Sequence, residues 1–345
     1  MIGKTAKKEF SVIGMGEVML RLSPQGKERV SYCESFEKRA GGSELNVVSG
    51  ISMLGLRTGI ITKLPNNDIG RFVKHKIRYS GTSDDFVTYD DSHNKRLGIY
   101  YYEGGAYPRQ SAVSYDRAGS SFLSFERAEL PERAYGSTNV FHTSGITLAL
   151  GEKIRNTTVE IMRAFSEAGA LISFDVNYRA ALWSEDEARR AVLRVLPDVN
   201  ILFVSEETLR RTMQRSGDLR EMQRSVAKEY PNIELILSTR RRPVSPREHS
   251  FSSLVYDARE DAFCEEAEYE SIEVVDRIGS GDAYVAGALY ALLTYRDLGR
   301  TVEYANAMAA LKNTVPGDMA QCDSSDIERI IKNHIGSEPK SEMVR

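Results

Sequence analysis

The feature that most restricts the fold of this 345-residue chain is an alternation of short apolar runs with longer helical patterns. Ser11–Gly14, Thr58–Thr62, Leu171–Asp175, Ile201–Ser205 and Ile233–Thr239 have the length and β-branched or aromatic content of buried strands, and polar residues follow each. Between them apolar residues recur at helical spacing. Glu44–Leu54 carries Leu45, Val48, Ile51 and Leu54, and Asn156–Ala168, Glu185–Leu196 and Leu219–Tyr230 read similarly. Repeated strand–helix units of this kind close as a mostly parallel central sheet flanked by helices, so the expected class is α/β.

Two stretches break the rhythm. Residues 17–39 and 86–117 are aromatic and strand-like but interrupted by Pro, Gly and charge. Tyr100, Tyr101 and Tyr102 stand in a row and cannot share one face, because side chains alternate along a strand. Both stretches are expected to form a small β-sheet lid over the ligand crevice of a core built from 1–16, 40–85 and 118–335. The polar segment 336–345 is expected to be a flexible tail.

Charge and cysteine content remove several functions. Lys and Arg number 46 against 49 Asp and Glu, a formal charge of -3, which supplies no surface for nucleic acid or an anionic membrane. Cys33, Cys264 and Cys322 are far apart and the five His are scattered, so neither a disulfide framework nor a zinc site is expected. No run approaches the ~18 apolar residues of a membrane span, and the basic start lacks the apolar core of a signal peptide. A cytoplasmic protein is expected.

The strongest local signal is Gly279, Ser280 and Gly281, a turn of small residues ahead of an apolar helical run from Ala283, with Asp282 in or beside the first helical turn. Free N–H groups and the positive dipole end at such a place form an anion site, and a carboxylate beside it can take the proton of a hydroxyl nucleophile. Otherwise Asp282 simply caps its helix. Gly41, Gly42 and Asn46 open another helix: either close backbone approach plus an amide for sugar hydroxyls, or a glycine turn with Ser43 as N-cap. Asp175, Asn177 and Arg179 alternate at the end of a buried strand, where open α/β sheets bind ligands. An extended chain there projects all three to one side, and Arg179 suits a carboxylate or phosphate, or else a loop ion pair. There is no Walker loop, and Gly14 and Gly16 lack the third glycine of a dinucleotide fingerprint.

In this order the segments resemble the ribokinase-like (PfkB) carbohydrate kinases. Gly41, Gly42 and Asn46 resemble that family's first signature and Asp276–Asp282 its second, and the resemblance runs from about Phe10 to Ile331. Gly16–Glu17, Gly41–Asn46, Tyr115–Ser120, Phe141–Thr147, Asp175–Arg179 and Pro316–Asp318 resemble the branch acting on 2-keto-3-deoxygluconate.

The resemblance implies ATP and Mg2+ as cofactors with no side-chain metal cage, and a homo-oligomer is expected because an exposed β-layer such as the lid commonly needs cover by a partner chain. The resemblance implies Asp282 as base and Gly279, Ser280 and Gly281 as anion hole. Gly41, Gly42, Asn46, Tyr100, Tyr115, Arg117 and Arg179 fall at sugar-acid positions, and Asn177, Arg179, Ser205, Thr239, Arg240, Gly279, Gly281 and Asn306 on the nucleotide side. Two departures stand out. Ser205, Glu206 and Glu207 replace the usual Asn-x-x-Glu near magnesium. Ser238–Pro246, with Arg240, Arg241 and Arg242, replaces a glycine-rich nucleotide loop, either to hold phosphates or as a solvated charged loop. The alternatives are a kinase for a neutral sugar such as fructose or ribose, and a non-catalytic sugar-acid-binding protein on the same fold.

Overall fold

The computed structural model describes residues 8–245 and 248–335, so the tail expected at 336–345 lies outside the described residues. Ten strands form the main sheet. Leu235–Ser245, Ile201–Phe203, Leu171–Asp175, Thr138–Ser144, Phe10–Met15, Thr58–Pro65 and Ser83–Asp90 follow one another across it, all parallel. Glu248–Asp257 adds to the Leu235 edge antiparallel and carries Ala262–Cys264 and Tyr269–Glu273. Strand alternation sends Val12, Ile60 and Val140 into one apolar core and Ile13, Ile61 and Phe141 into the other, one on each face. The α/β expectation holds.

Helix Ser43–Met53 and the adjoining pair Ser280–Thr294 and Leu298–Thr314 cover one face. These helices are buried nearly all round, which explains their lack of a polar stripe in the sequence. Glu152–Glu167, Glu185–Val195 and Leu219–Glu229 cover the other, each with the one-sided apolar pattern read from the sequence.

A second sheet stands apart, in the order Phe36–Gly41, Met19–Pro24, Gly98–Glu103, Ala112–Asp116. Its central pair is parallel and its outer pairs antiparallel. Tyr100 and Tyr102 are buried with Met19 on one side while Tyr101 meets Phe36 on the other, as alternation requires. Two expected boundaries are corrected. Phe86 to Asp90 belongs to the main sheet, because Phe86 is buried against Phe10 and its strand pairs with Thr58–Pro65. At the other boundary, Ala40 and Gly41 finish a lid strand instead of starting the core. The expected loop Ser238–Pro246 is also corrected: through Ser245 it is strand, paired from Leu235 onward with Glu248–Asp257. Pairing with Glu248–Asp257 carries the strand past Pro243 to Ser245.

Candidate active site

The carboxyl ends of the parallel strands and the inner side of the small sheet enclose a cleft of about 1080 Å³, with an adjoining lobe of about 490 Å³. At its floor Gly279 takes φ 84°, a left-handed conformation, and starts helix Ser280–Thr294. A Cβ at this position would lie 1.9 Å from the Asp318 carbonyl, so both the turn and the close approach require glycine. The turn leaves the first amides of a fifteen-residue helix facing the cleft.

Asp282, in that first turn, is buried and held at both oxygens. Oδ1 accepts from Ser43 Oγ at 2.7 Å, and Oδ2 from Asn46 Nδ2 at 2.7 Å. Ser43 in turn accepts from Asn177 Nδ2 at 3.0 Å. Helix Ser43–Met53 has no side-chain cap, so Ser43 does not serve as the N-cap that one reading of the sequence gave it; its hydroxyl orients Asp282. Nothing in the sequence pattern marked Ser43 for that role, because its partner lies 239 residues away.

Burial raises the Asp282 carboxyl above its usual range, against the pull of Asn46, Ser43, Arg179 and Arg241. Asp175 is pushed up to about 7, first by burial and then by the neighbouring Asp282 charge. Two facing carboxyls, one anchored by donors and the other less so, are an arrangement in which one ionises first.

Asp175, Asn177 and Arg179 all line the cleft, but not by staying extended: Asn177 has φ 36° and turns the chain back. Gly42, Asn46, Tyr100, Tyr115, Ser205, Thr239, Arg240, Ser280 and Gly281 also line it. Gly41 does not, being pressed against the Tyr100 and Asp318 side chains. Asn306 is likewise off the cleft, fully buried between Ser253 and Glu266. Arg117 and Arg179 border the adjoining lobe with Tyr115. Arg117 Nη2 lies 2.8 Å from the buried Glu17, which also accepts from Ser120. The Tyr100 hydroxyl is held by Asp318.

The three arginines of the run all line the cleft and divide by their ion pairs. Arg240 sits 3.6 Å from both Glu206 and Glu265, and Arg242 is 2.8 Å from Glu268 and mostly exposed. Arg241 has no ion pair among the described residues. Its side chain is solvent-accessible yet crowded, lying over Phe251, with Nη2 3.5 Å from where a Gly281 Cβ would stand. Burial, then Arg179 and Arg277, lowers its pKa, so an anion entering here meets several uncompensated cations. Triphosphate chemistry therefore fits this end of the cleft. Glu206 and Glu207 face it too but are paired with Arg210 and Arg211. The described residues hold no cluster of three or more His, Cys, Asp or Glu side chains placed to hold a metal ion.

Residues 9–325 match the profile of the pfkB family carbohydrate kinases. The chain is 35% identical over 321 residues to a 2-dehydro-3-deoxygalactonokinase of Haloferax volcanii, covering 93% of this chain and 96% of that one. It is 27% identical over 314 residues to a fructokinase of Salmonella typhimurium, with 88% and 94% covered. Among solved structures, a 2-dehydro-3-deoxygluconokinase from Thermotoga maritima superposes with a TM-score of 0.89 at 31% identity, covering 94% of this chain and 98% of that one. A Listeria grayi PfkB family carbohydrate kinase gives 0.88 at 32%, with 93% and 99% covered. No helix among the described residues is long and apolar enough to cross a membrane.

Proposed function

We propose that this chain, which belongs to the pfkB family of carbohydrate kinases, transfers the γ-phosphoryl group of ATP to a primary hydroxyl of 2-keto-3-deoxygluconate. The observation that carries the reading is Asp282: a buried carboxylate fixed by two donors, beside a glycine-built helix N-terminus, in a cleft rich in arginine. Asp282 takes the hydroxyl proton, and the freed oxygen attacks phosphorus as the bond to the leaving diphosphate breaks. Charge on the transferred group meets the amides of Ser280 and Gly281 and the guanidinium of Arg241. Mg2+, when bound, neutralises phosphate charge, and Glu206 and Glu207 are the carboxylates placed to reach its waters.

The acid rather than a neutral sugar is supported by Arg117 and Arg179 at the lobe beside Tyr115 and by the keto-deoxy acids named for two of the similar proteins. The test is ATP consumption over 2-keto-3-deoxygluconate, its galactonate epimer, fructose and ribose. Highest kcat/KM on fructose or ribose would refute the sugar-acid assignment. Binding of the acid without any ATP turnover would refute catalysis.

Arg117 reads the substrate carboxylate in this scheme. A charge-assisted bond of this kind contributes about 1.5–3 kcal/mol, and competition from Glu17 places the expected effect at the lower end. Arg117→Ala should raise KM for the acid about tenfold, and for the carboxyl-free reduced analogue much less. The truncation also strands Glu17, so the same comparison in a Glu17→Gln background separates recognition from repair of that pair. Equal loss on both substrates makes Arg117 structural.

The pH profile follows from the carboxyl pair. The base must be ionised, so kcat/KM rises with pH through the raised Asp282 pKa. Asp175, pushed up to about 7 by burial and by the Asp282 charge, acts on Asp282 reciprocally, so a charge on either carboxyl opposes ionisation of the other. Asp175→Asn removes the like charge, and the acid limb should move to lower pH. An unmoved limb means the two carboxyls do not communicate.

A further inference from the structure

Lys312 is buried to the last atom near the end of helix Leu298–Thr314, and the reaction scheme above gives it nothing to do. A lysine so placed normally finds a carboxylate or shortens its reach to the helix's own last carbonyls. This one spans two loops. Its Nζ donates to the Asp276 carbonyl at 3.0 Å and to the Val315 carbonyl at 3.2 Å, and among the described residues it has no ion-pair partner.

Those carbonyls belong to the segments that build the anion hole. Asp276 begins the turn through Gly279, accepting from the Ile278 amide at 3.0 Å and from the Gly317 amide at 3.0 Å. Val315 begins the turn to Asp318, whose carbonyl is packed where a Gly279 Cβ would be. The Asn313 carbonyl accepts from the Val275 and Asp276 amides, closing the same junction. One ammonium therefore sits where the two loops meet, on the far side of the residues that aim the amides of Ser280 and Gly281.

We propose that Lys312 is a positioning residue for phosphoryl transfer: its ammonium clamps the loops 276–279 and 315–318 together and so sets the anion hole against Asp282. The inference rests on the kinase reading. Two carbonyl dipoles pointing at one site are compatible with a cation and repel each other without it. The groups facing the ammonium are Asp276 and Asp318 on the two loops, Asp282 on the following helix and Arg21 on the lid. Burial, partly offset by those three carboxyl groups and assisted by Arg21, lowers the Lys312 pKa to about 8. Arg21 is pushed further up, and Tyr100, bonded to Asp318, has its phenol raised, so neither loses a proton in that window.

The experiment measures kcat, KM and pH dependence for wild type and Lys312→Met, an unbranched apolar replacement. The expected result is a fall of about tenfold in kcat with KM for the sugar acid changed less than about twofold. Wild-type kcat should decline as pH rises through about 8 and the variant should lack that limb. Ammonium chloride, with sodium chloride at matched ionic strength as control, should restore part of the variant's kcat. Wild-type kcat in Lys312→Met, or a loss confined to KM, overturns the proposal. If the variant fails to fold, the wild-type profile decides: kcat flat from about pH 7 to about pH 9.5 overturns it. Absence of wild-type turnover on every sugar in the screen is a different failure, since it removes the kinase reading and this inference with it.

Discussion

Asp282→Asn is expected to lower kcat by about 10²–10⁴-fold while leaving the affinity for the sugar acid within a few-fold of wild type. The exchange is close to isosteric, and the surroundings can absorb it. Ser43 Oγ continues to donate to the side-chain oxygen at position 282. Asn46 presents its amide nitrogen to Asp282, and its own Oδ1 is buried with no hydrogen-bond partner among the described residues. Rotating the Asn46 amide half a turn lets that oxygen accept from the new amide, so the fold and the cleft are preserved. What disappears is the ability to hold a proton taken from the hydroxyl. Isothermal titration with the acid and steady-state turnover measure the two separately. The residual activity should also lose the acid limb of the pH profile, since no base remains to be ionised. Turnover within about threefold of wild type would remove Asp282 from the chemistry.

That prediction was largely legible in the sequence because its parts are local: a small-residue turn, a carboxylate and an apolar helix within eight residues of one another. The sheet was legible for a related reason. Buried parallel strands read as short continuous apolar runs, and the helices on one face carried a clean stripe. On the other face, Ser280–Thr294 is almost wholly apolar, and its glycine turn with its resemblance to a known motif placed it.

The rest depended on contacts across the chain. Ser43 meets Asp282 across 239 residues, and Arg21 meets Asp276 and Asp318 across 255 and 297. No spacing rule reaches that far. Phe86 to Asp90 looked like lid because it is rich in aromatic and charged residues, and only pairing with Thr58–Pro65 shows it to be the edge of the main sheet. The arginine run misled in the same way. It stands where a glycine-rich loop was expected, whereas the backbone continues as a strand through Ser245.

Ion pairing makes the second large prediction specific. Phosphoryl transfer requires donors against the ATP phosphates, and a glycine-rich turn of amides is absent from Leu235–Ser245. Arg240 and Arg242 line the cleft too but are already paired with carboxylates, so removing them also exposes Glu206, Glu265 and Glu268. Arg241 alone of the three has no ion pair among the described residues and stands over Gly281. A charge-assisted contact to phosphate contributes about 1.5–3 kcal/mol. Arg241→Ala is therefore expected to weaken ATP binding about 10- to 150-fold, with sugar-acid affinity unchanged. Arg240→Ala and Arg242→Ala should each change it less than about threefold. Salt supplies an internal check, because an exposed ion pair is screened and a contact inside the cleft much less so. The gap between Arg241→Ala and the other two should persist as ionic strength rises. Equal, small effects of all three substitutions would make the run a solvated charged edge, and the phosphates would then depend on Arg179, Arg277 and the helix N-terminus. A large effect at Arg240 with none at Arg241 would mean that Glu206 releases its partner when nucleotide binds, and that Arg240 rather than Arg241 meets the phosphates.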